Sequence, residues 1–261
     1  MDWLELAKTL KAGARTRTRC CGEDNSMLVS HDLHGYRCHC FRCGESQFVP
    51  HGLQRISDLN RRKAELAFME ERTVRLPKDY TLEIPEKDML WFLQYGIDPE
   101  LARSYGIGYS DELDRVVLPV RGLDGKLDAV QMRSTDPNVR PKYLNPFGPK
   151  VSAAVFMSGP PTGVTVVVED ILSAIKIGKI THATSILGTA LTDERAEKIA
   201  KHNHTAVVWT DNDRAGQKGR LKATRQLLLL GMDVYRVRSP DDPKTYNLED
   251  IEEHLRSMTK C

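Results

Sequence analysis

Residues 163–261 read as a parallel α/β domain, and two observations predict it. Runs rich in β-branched residues alternate with segments of helix length: strand 164–168, helix 171–177, strand 184–187, helix 192–202, strand 206–209, helix 215–230 and strand 233–238. That rhythm is the signature of strands joined by crossover helices. The strand runs also deliver acids to one edge, since Glu169 follows Val164-Thr165-Val166-Val167-Val168 and Asp211 and Asp213 follow Ala206-Val207-Val208. In open α/β sheets, ligands and chemistry gather at the carboxyl ends of strands.

A third observation sets the other end of the chain apart. Five of the six cysteines lie between Cys20 and Cys43. Clustered thiols argue for metal ligation in a reducing compartment, where disulfides are rare. Cys40-Phe41-Arg42-Cys43-Gly44 is a C-x₂-C knuckle whose glycine permits the tight turn that points both thiolates at one ion. Cys20-Cys21-Gly22 offers the other half, and residues 26–36 between them read as a hairpin. Residues 1–50 are therefore expected to form a zinc ribbon, opened by a short helix with Trp3, Leu6, Ala7 and Leu10 on one face. The ligands read from the sequence are Cys21, Cys40 and Cys43, with Cys20 favoured as the fourth. The adjacent first pair leaves Cys38, His31, His34 and His39 open as substitutes.

Residues 51–75 read as a polar, charged linker, helical or extended, and Pro77 and Pro85 mark where compact structure resumes. Residues 76–162 read as α+β. Met89 to Gly96 forms a helix closed by glycine, and Asp98-Pro99 supplies an N-cap and first-turn pair for the next. Arg115 to Val120 and Leu127 to Met132 form two antiparallel strands around a Gly122-Leu123-Asp124-Gly125 turn.

Composition bounds the function classes. The chain has 261 residues and a formal net charge of +2, but residues 1–63 carry eleven Lys/Arg against seven Asp/Glu. A basic amino-terminal module suits a polyanionic partner. No stretch approaches the ~18–20 apolar residues needed to span a bilayer, and the first residues lack the basic segment of a signal peptide. The expected location is the cytoplasm, without a membrane partner. In the acidic segment Trp209-Thr210-Asp211-Asn212-Asp213-Arg214-Ala215-Gly216, carboxylates two residues apart at a strand end are hard oxygen ligands suited to Mg²⁺.

A glutamate after one strand and an Asp-x-Asp after a later one resemble the Toprim fold shared by primases, topoisomerases and some nucleases. Four further segments choose among these: Tyr105 to Tyr109, Arg115 to Val120, Gln131-Met132-Arg133-Ser134, and Pro141-Lys142-Tyr143-Leu144-Asn145. They are similar to the amino-terminal half of the polymerase core of bacterial-type DNA primases. With a zinc ribbon in front, the order resembles that family over nearly the whole chain, most like the primase portion of phage primase-helicase proteins. The implied architecture is a zinc ribbon (1–50), a linker (51–75), an α+β subdomain of the primase core (76–162) and a parallel α/β Toprim subdomain (163–261).

The resemblance implies RNA primer synthesis on a single-stranded DNA template from ribonucleoside triphosphates. It implies one structural Zn²⁺ and catalytic Mg²⁺, with Mn²⁺ as a substitute. Glu169, Asp211 and Asp213 are the expected Mg²⁺ residues, Glu169 holding metal or taking the proton of the attacking hydroxyl. Arg133 and Lys142 are expected to hold nucleotide phosphates or template backbone, and Asp242 matches a late acidic segment. In the zinc ribbon, Arg37 and Arg42 are expected to contact phosphates while Tyr36, His39 or Phe41 touch bases. Where the family usually has glycine after the glutamate, this chain has Asp170, which adds a metal contact or crowds one. No P-loop follows residue 239, so a helicase is expected as a separate partner. Two rival readings are a Toprim nuclease and a non-catalytic DNA-binding adaptor that recruits a helicase.

Overall fold

A computed structural model describes residues 2–52, 56, 60, 74–145 and 153–261. The chain divides into two compact units, one holding the described residues before Val74 and one those from Val74 on. Most of the segment read as a linker lies outside the described residues. Among these, no helix is long and apolar enough to cross a membrane.

In the first unit, helix α1 (Trp3–Thr9) starts at Asp2, whose side chain accepts the Leu4 amide. It packs on a four-stranded antiparallel sheet, β1 (Arg15–Thr18), β2 (Met27–His31), β3 (Gly35–Cys40) and β4 (Ser46–Pro50), in sequential order. The expected hairpin is β2–β3. The flanking β1 and β4 were not anticipated, because Arg-Thr-Arg-Thr reads as charge and Ser-Gln-Phe-Val-Pro is largely polar. The small core comprises Ala7, Met27, Val29, Cys38 and Cys40. So little apolar material is poor support for a fold of this length.

The second unit joins two sheets. One has the order β5 (Gly108–Ser110), β6 (Arg115–Arg121), β7 (Leu127–Arg133) and β8 (Tyr143–Leu144), all antiparallel, with the expected hairpin at β6–β7. Before it come α2 (Glu86–Leu93) and α3 (Pro99–Ser104), the latter capped by Asp98 as read. Helix α2 starts earlier than its apolar pattern because Pro85 precedes its first turn, and Gly96 makes a left-handed turn after it at φ 71°.

The larger sheet is built from β9 (Phe156–Ser158), β10 (Val164–Val168), β11 (Ala183–Ser185), β12 (Thr205–Val208), β13 (Asp233–Arg236) and β14 (Thr259–Lys260). Helices α4 (Ile171–Ile177), α5 (Asp193–His202), α6 (Arg214–Leu229) and α7 (Leu248–Arg256) accompany it. Its spatial order is β14-β13-β12-β10-β11-β9. The four central strands are parallel, but β9 and β14 are antiparallel, so the sheet is mixed where the sequence suggested a purely parallel one. Strand β11 stops at Ser185 because Leu187 adopts a left-handed backbone at φ 58°, which ends extended pairing. Helix α7, absent from the sequence reading, begins at Asn247, whose side chain accepts the Asp250 amide at 2.8 Å.

Both faces of the central strands are buried, as continuous Val-rich runs require. Val166 and Val168 face Ile171, Leu172, Ile175 and Trp209 in a core that continues into Phe92, Val116 and Leu118 of the α+β portion. Val167, Ala206, Val208 and Val234 face Ile199, Ala223 and Leu227 on the other side. From β10 the chain moves to β11 on one side and then returns to β12 on the other. The gap between β10 and β12 is therefore a topological switch point, where open α/β sheets form ligand crevices.

Ile175 is 1% exposed between α4 and the sheet. Ile175→Ala is expected to destabilise the second unit by ~2–5 kcal/mol, measured by urea denaturation followed through tryptophan fluorescence, to which Trp91 and Trp209 of this unit contribute; a loss below about half a kilocalorie would mean that α4 does not anchor this core.

Candidate functional site: an acidic cleft and a cysteine cluster

Strands β10 and β12 pair in parallel with Val166 opposite Val207 and Val167 opposite Val208, so the residues that follow them emerge together. Asp211 donates its backbone N–H to Glu169 Oε1 at 3.2 Å. Glu169 is only 6% exposed. Burial first, and then the Asp211 carboxylate, push its pKa up to about 8. Burial likewise raises Asp211 to about 6, with Asp242, Asp170 and Asp213 adding repulsion and Lys244 opposing it. Asp211 Oδ1 is buried without a hydrogen-bond partner among the described residues. An orphaned carboxylate oxygen beside a second, disfavoured carboxylate is a donor set that fits a divalent cation with hard oxygen preference.

Asp213 occupies a different position. Strand β12 ends at Val208, so Asp211 and Asp213 lie in the turn beyond it and not on one strand face. Asp213 caps α6, its Oδ1 accepting the Gly216 amide at 2.7 Å. Its side chain is exposed beside the cleft, whose acidic wall is formed by Glu169, Asp170, Asp211 and Asp242. Asp170 caps α4: its Oδ1 accepts the Leu172 and Ser173 amides and its Oδ2 accepts the Ser173 hydroxyl at 2.7 Å.

The cleft encloses about 400 Å³ and brings Arg133 and Lys142 of the α+β portion opposite these acids. Arg133 is 7% exposed. Its guanidinium lies 4.1 Å from the ring centre of Trp91 and donates to the Tyr143 hydroxyl at 2.9 Å. The aromatic contact and this hydrogen bond fix its fork toward the cavity. Lys142 is exposed at the lip.

Two residues escaped the sequence reading. Lys244 is a cleft-lining cation bonded to Asp170 and Asp242, and nothing in its local pattern links it to Asp170, which lies 74 positions away. Gly216 lets the first turn of α6 lie against the acids: an added Cβ would sit 2.2 Å from Asp211 O and 2.7 Å from Glu169 Oε1. A glycine in a helix's first turn directly after two acids was the available signal.

In the first unit, ligand atoms of Cys20, Cys21, Cys40 and Cys43 all lie within 4.8 Å of one another. Cys20 and Cys43 Sγ are 3.7 Å apart, and Cys21 and Cys40 Sγ 3.8 Å. Four thiolates at a Zn–S distance of ~2.3 Å in a tetrahedron stand about 3.8 Å apart, so the cluster fits such an ion. Cys38 points into the small core, and His31 stacks with Tyr36 and His51 away from the thiols. The β3 register also separates the expected template-facing residues. Tyr36 lies on the packed face, whereas Arg37, His39 and Phe41 share the open face. Arg17 and Phe48 join that face, with Arg17 5.2 Å from the Phe41 ring centre and Arg37 5.4 Å from that of Phe48. Arg42 sits apart at the knuckle, 3.9 Å from Asp24.

Residues 166–252 match the family described as Toprim-like. A DNA primase of Aquifex aeolicus is 26% identical over 216 residues, covering 62% of this chain and 42% of that protein. A DNA primase of Halalkalibacterium halodurans is 31% identical over 157 residues, covering 55% of this chain and 26% of that protein. This chain is similar to the bacterial DNA primases. Its matches span less than half the length of those curated primases. Among solved structures, the zinc-binding and RNA polymerase domains of the Aquifex aeolicus primase superpose with a TM-score of 0.59 at 20% identity, covering 100% of this chain and 84% of that one. A primase catalytic domain bound to single-stranded DNA gives a TM-score of 0.59 at 17% identity, covering 75% of this chain and 78% of that one. The fold is thus the primase fold: a Toprim α/β portion, an α+β portion and an amino-terminal module with a cysteine cluster.

The raised acids predict a pH signature. The folded form keeps protons that the unfolded chain has released, so without divalent cations stability falls as pH climbs from 4.5 to about 8 for Glu169 and from 3.8 to about 6 for Asp211. Glu169→Gln removes the first slope and is expected to stabilise the magnesium-free protein at pH 8 by on the order of 2 kcal/mol. Urea titrations at pH 5 and pH 8 check this, and parallel pH dependence in both proteins would count against a strained Glu169.

Proposed function

We propose that this chain synthesises short RNA primers on single-stranded DNA as a DNA-directed RNA polymerase of the primase type. The observation that carries the reading is the convergence of buried Glu169 and Asp211 with Arg133 and Lys142 on one cleft at the switch point of the sheet. Primer extension joins a ribonucleotide 3′-oxygen to the α-phosphorus of a triphosphate and releases pyrophosphate and a proton. Bound Mg²⁺, or Mn²⁺ in its place, would neutralise charge on the phosphoryl oxygens and acidify the attacking hydroxyl. Glu169 and Asp211 would hold it, with Asp213 assisting from the neighbouring turn.

The remaining roles follow from side-chain chemistry. Arg133, its fork fixed by Trp91 and Tyr143, grips phosphate in two places, while Lys142 at the lip supplies a point charge to triphosphate or template backbone. Glu169 holds metal or receives the proton of the attacking hydroxyl; a cation bound beside it would displace the proton that its raised pKa otherwise keeps at neutral pH. Zn²⁺ on Cys20, Cys21, Cys40 and Cys43 would hold the first unit together in place of a larger core. The open face with Arg17, Arg37, His39, Phe41 and Phe48 suits single-stranded template, since bases stack on aromatic rings and arginines follow phosphates. Tyr36 drops out of that set because it packs inward. A replicative helicase acting beside the chain and a cytoplasmic setting belong to the same reading.

The test supplies mixed-sequence single-stranded DNA, Mg²⁺ and labelled ribonucleotides to wild type, Asp211→Ala and Arg37→Ala/Phe41→Ala. Short RNA ladders are expected from wild type. Asp211→Ala should lose at least ~10³-fold in rate with DNA binding intact, and the double variant should bind template about tenfold more weakly. RNA-independent cleavage of the DNA would favour the nuclease, and template binding without any product would favour the adaptor.

A further inference from the structure

Lys244 lines the cleft, and the primer-synthesis reading leaves it unused. It follows Pro243 in a 3₁₀ turn (Pro243–Thr245) and is tied to α4 at two points. Its ammonium donates to Asp170 Oδ2 at 3.2 Å, at the start of the helix, and Lys176 near the helix end donates to its backbone carbonyl at 3.0 Å. A third bond runs to Asp242 Oδ2 at 2.6 Å. Its side chain is 12% exposed. Burial alone would disfavour the charge, but Asp170, Asp242 and Asp211 outweigh it and hold the ammonium protonated.

The two ends of the acidic wall therefore differ in what they can still accept. A carboxylate has about four lone-pair positions. Those of Asp170 are taken by the Leu172 and Ser173 amides, the Ser173 hydroxyl and the Lys244 ammonium. Asp242 has its Oδ2 committed to Lys244. At the other end, among the described residues, Asp211 Oδ1 has no partner and the Glu169 carboxylate accepts a single N–H. A divalent ion seated between Asp170 and Asp242 would have to expel a nearly buried ammonium and break helix-capping bonds.

We propose that Lys244 is a built-in cation of the cleft, which neutralises Asp170 and Asp242 permanently and confines divalent-ion binding to the Glu169–Asp211 end. This rests on the reading of the cleft as a metal site. Lys244 is a positioning residue under this assignment: it fixes where the divalent charge sits without itself holding the ion. It also answers what the unusual Asp170 does, which is to bind Lys244 and cap α4 in place of contributing a metal ligand.

Mn²⁺ titration of the zinc-loaded full chain, followed by electron paramagnetic resonance, tests the assignment without reference to activity; Mn²⁺ does not displace Zn²⁺ from thiolates. Wild type is expected to bind a single Mn²⁺, Asp211→Asn to lose it, and Asp170→Asn and Asp242→Asn to keep it. Lys244→Met should gain a second ion, and Lys244→Arg should retain the wild-type count. If wild type binds two ions and Asp170→Asn or Asp242→Asn removes one, the role of Lys244 is overturned while the metal cleft stands. If wild type binds no Mn²⁺ that Asp211→Asn removes, the metal reading of the cleft falls and this inference with it. Should Lys244→Met fail to fold, the wild-type count and the two asparagine variants decide alone.

Discussion

Two carboxylates held against each other in a poorly solvated crevice are the constraint around which the second unit is arranged. Glu169 and Asp211 repel, and burial raises the cost of their charge. They meet because β10 and β12 are hydrogen-bonded neighbours, locked in register by side chains packed on both faces of the sheet. A one-residue slip of either strand would turn every one of those valines to the wrong face, so the register that brings the acids together is also the register that buries the core. The sheet thereby stores an electrostatic strain that a bound cation would relieve.

The surroundings moderate this strain unequally. Helix α4 places its positive amino-terminal end near the site, but its free amides are taken by Asp170, whose charge in turn recruits Lys244. Helix α6 repeats the device with Asp213. Two helices thus begin beside the cleft with aspartate caps, and Gly216 gives the second the clearance to do so. Arg133 and Lys142 approach from the other portion of the same unit, setting cations across from the acids. In the first unit the balance is simpler: a small core, four thiols spaced for one ion, and a basic aromatic sheet face.

Much of this was legible in the residues themselves. The Val-rich runs, the Asp98 cap and the β6–β7 turn announce their elements through local chemistry. The cysteine spacing was enough to collect Cys20 with Cys21, Cys40 and Cys43, although the adjacent pair left the choice open. What stayed hidden depends on distant pairing. β9 and β14 span three and two residues, too few to show a period. The inward packing of Tyr36 follows from its register against His31, and the Lys244–Asp170 bond joins segments with no shared pattern. Asp213 looked equivalent to Asp211 because two-residue spacing implies one strand face, but the strand ends three residues before Asp211, and a helix cap claims the second acid.

The short outer strands have a further consequence. A parallel sheet of Val-rich strands with an unpaired rim invites other chains to add to it, and such addition is a route to aggregation. Here the rim at each side is an antiparallel strand, Phe156–Ser158 on one and Thr259–Lys260 on the other. Each offers too few amides to template a partner strand, and Lys260 adds a charge at the second rim, paired with Asp233. The sheet is thereby finished at both sides, while the crevice at its carboxyl end stays open.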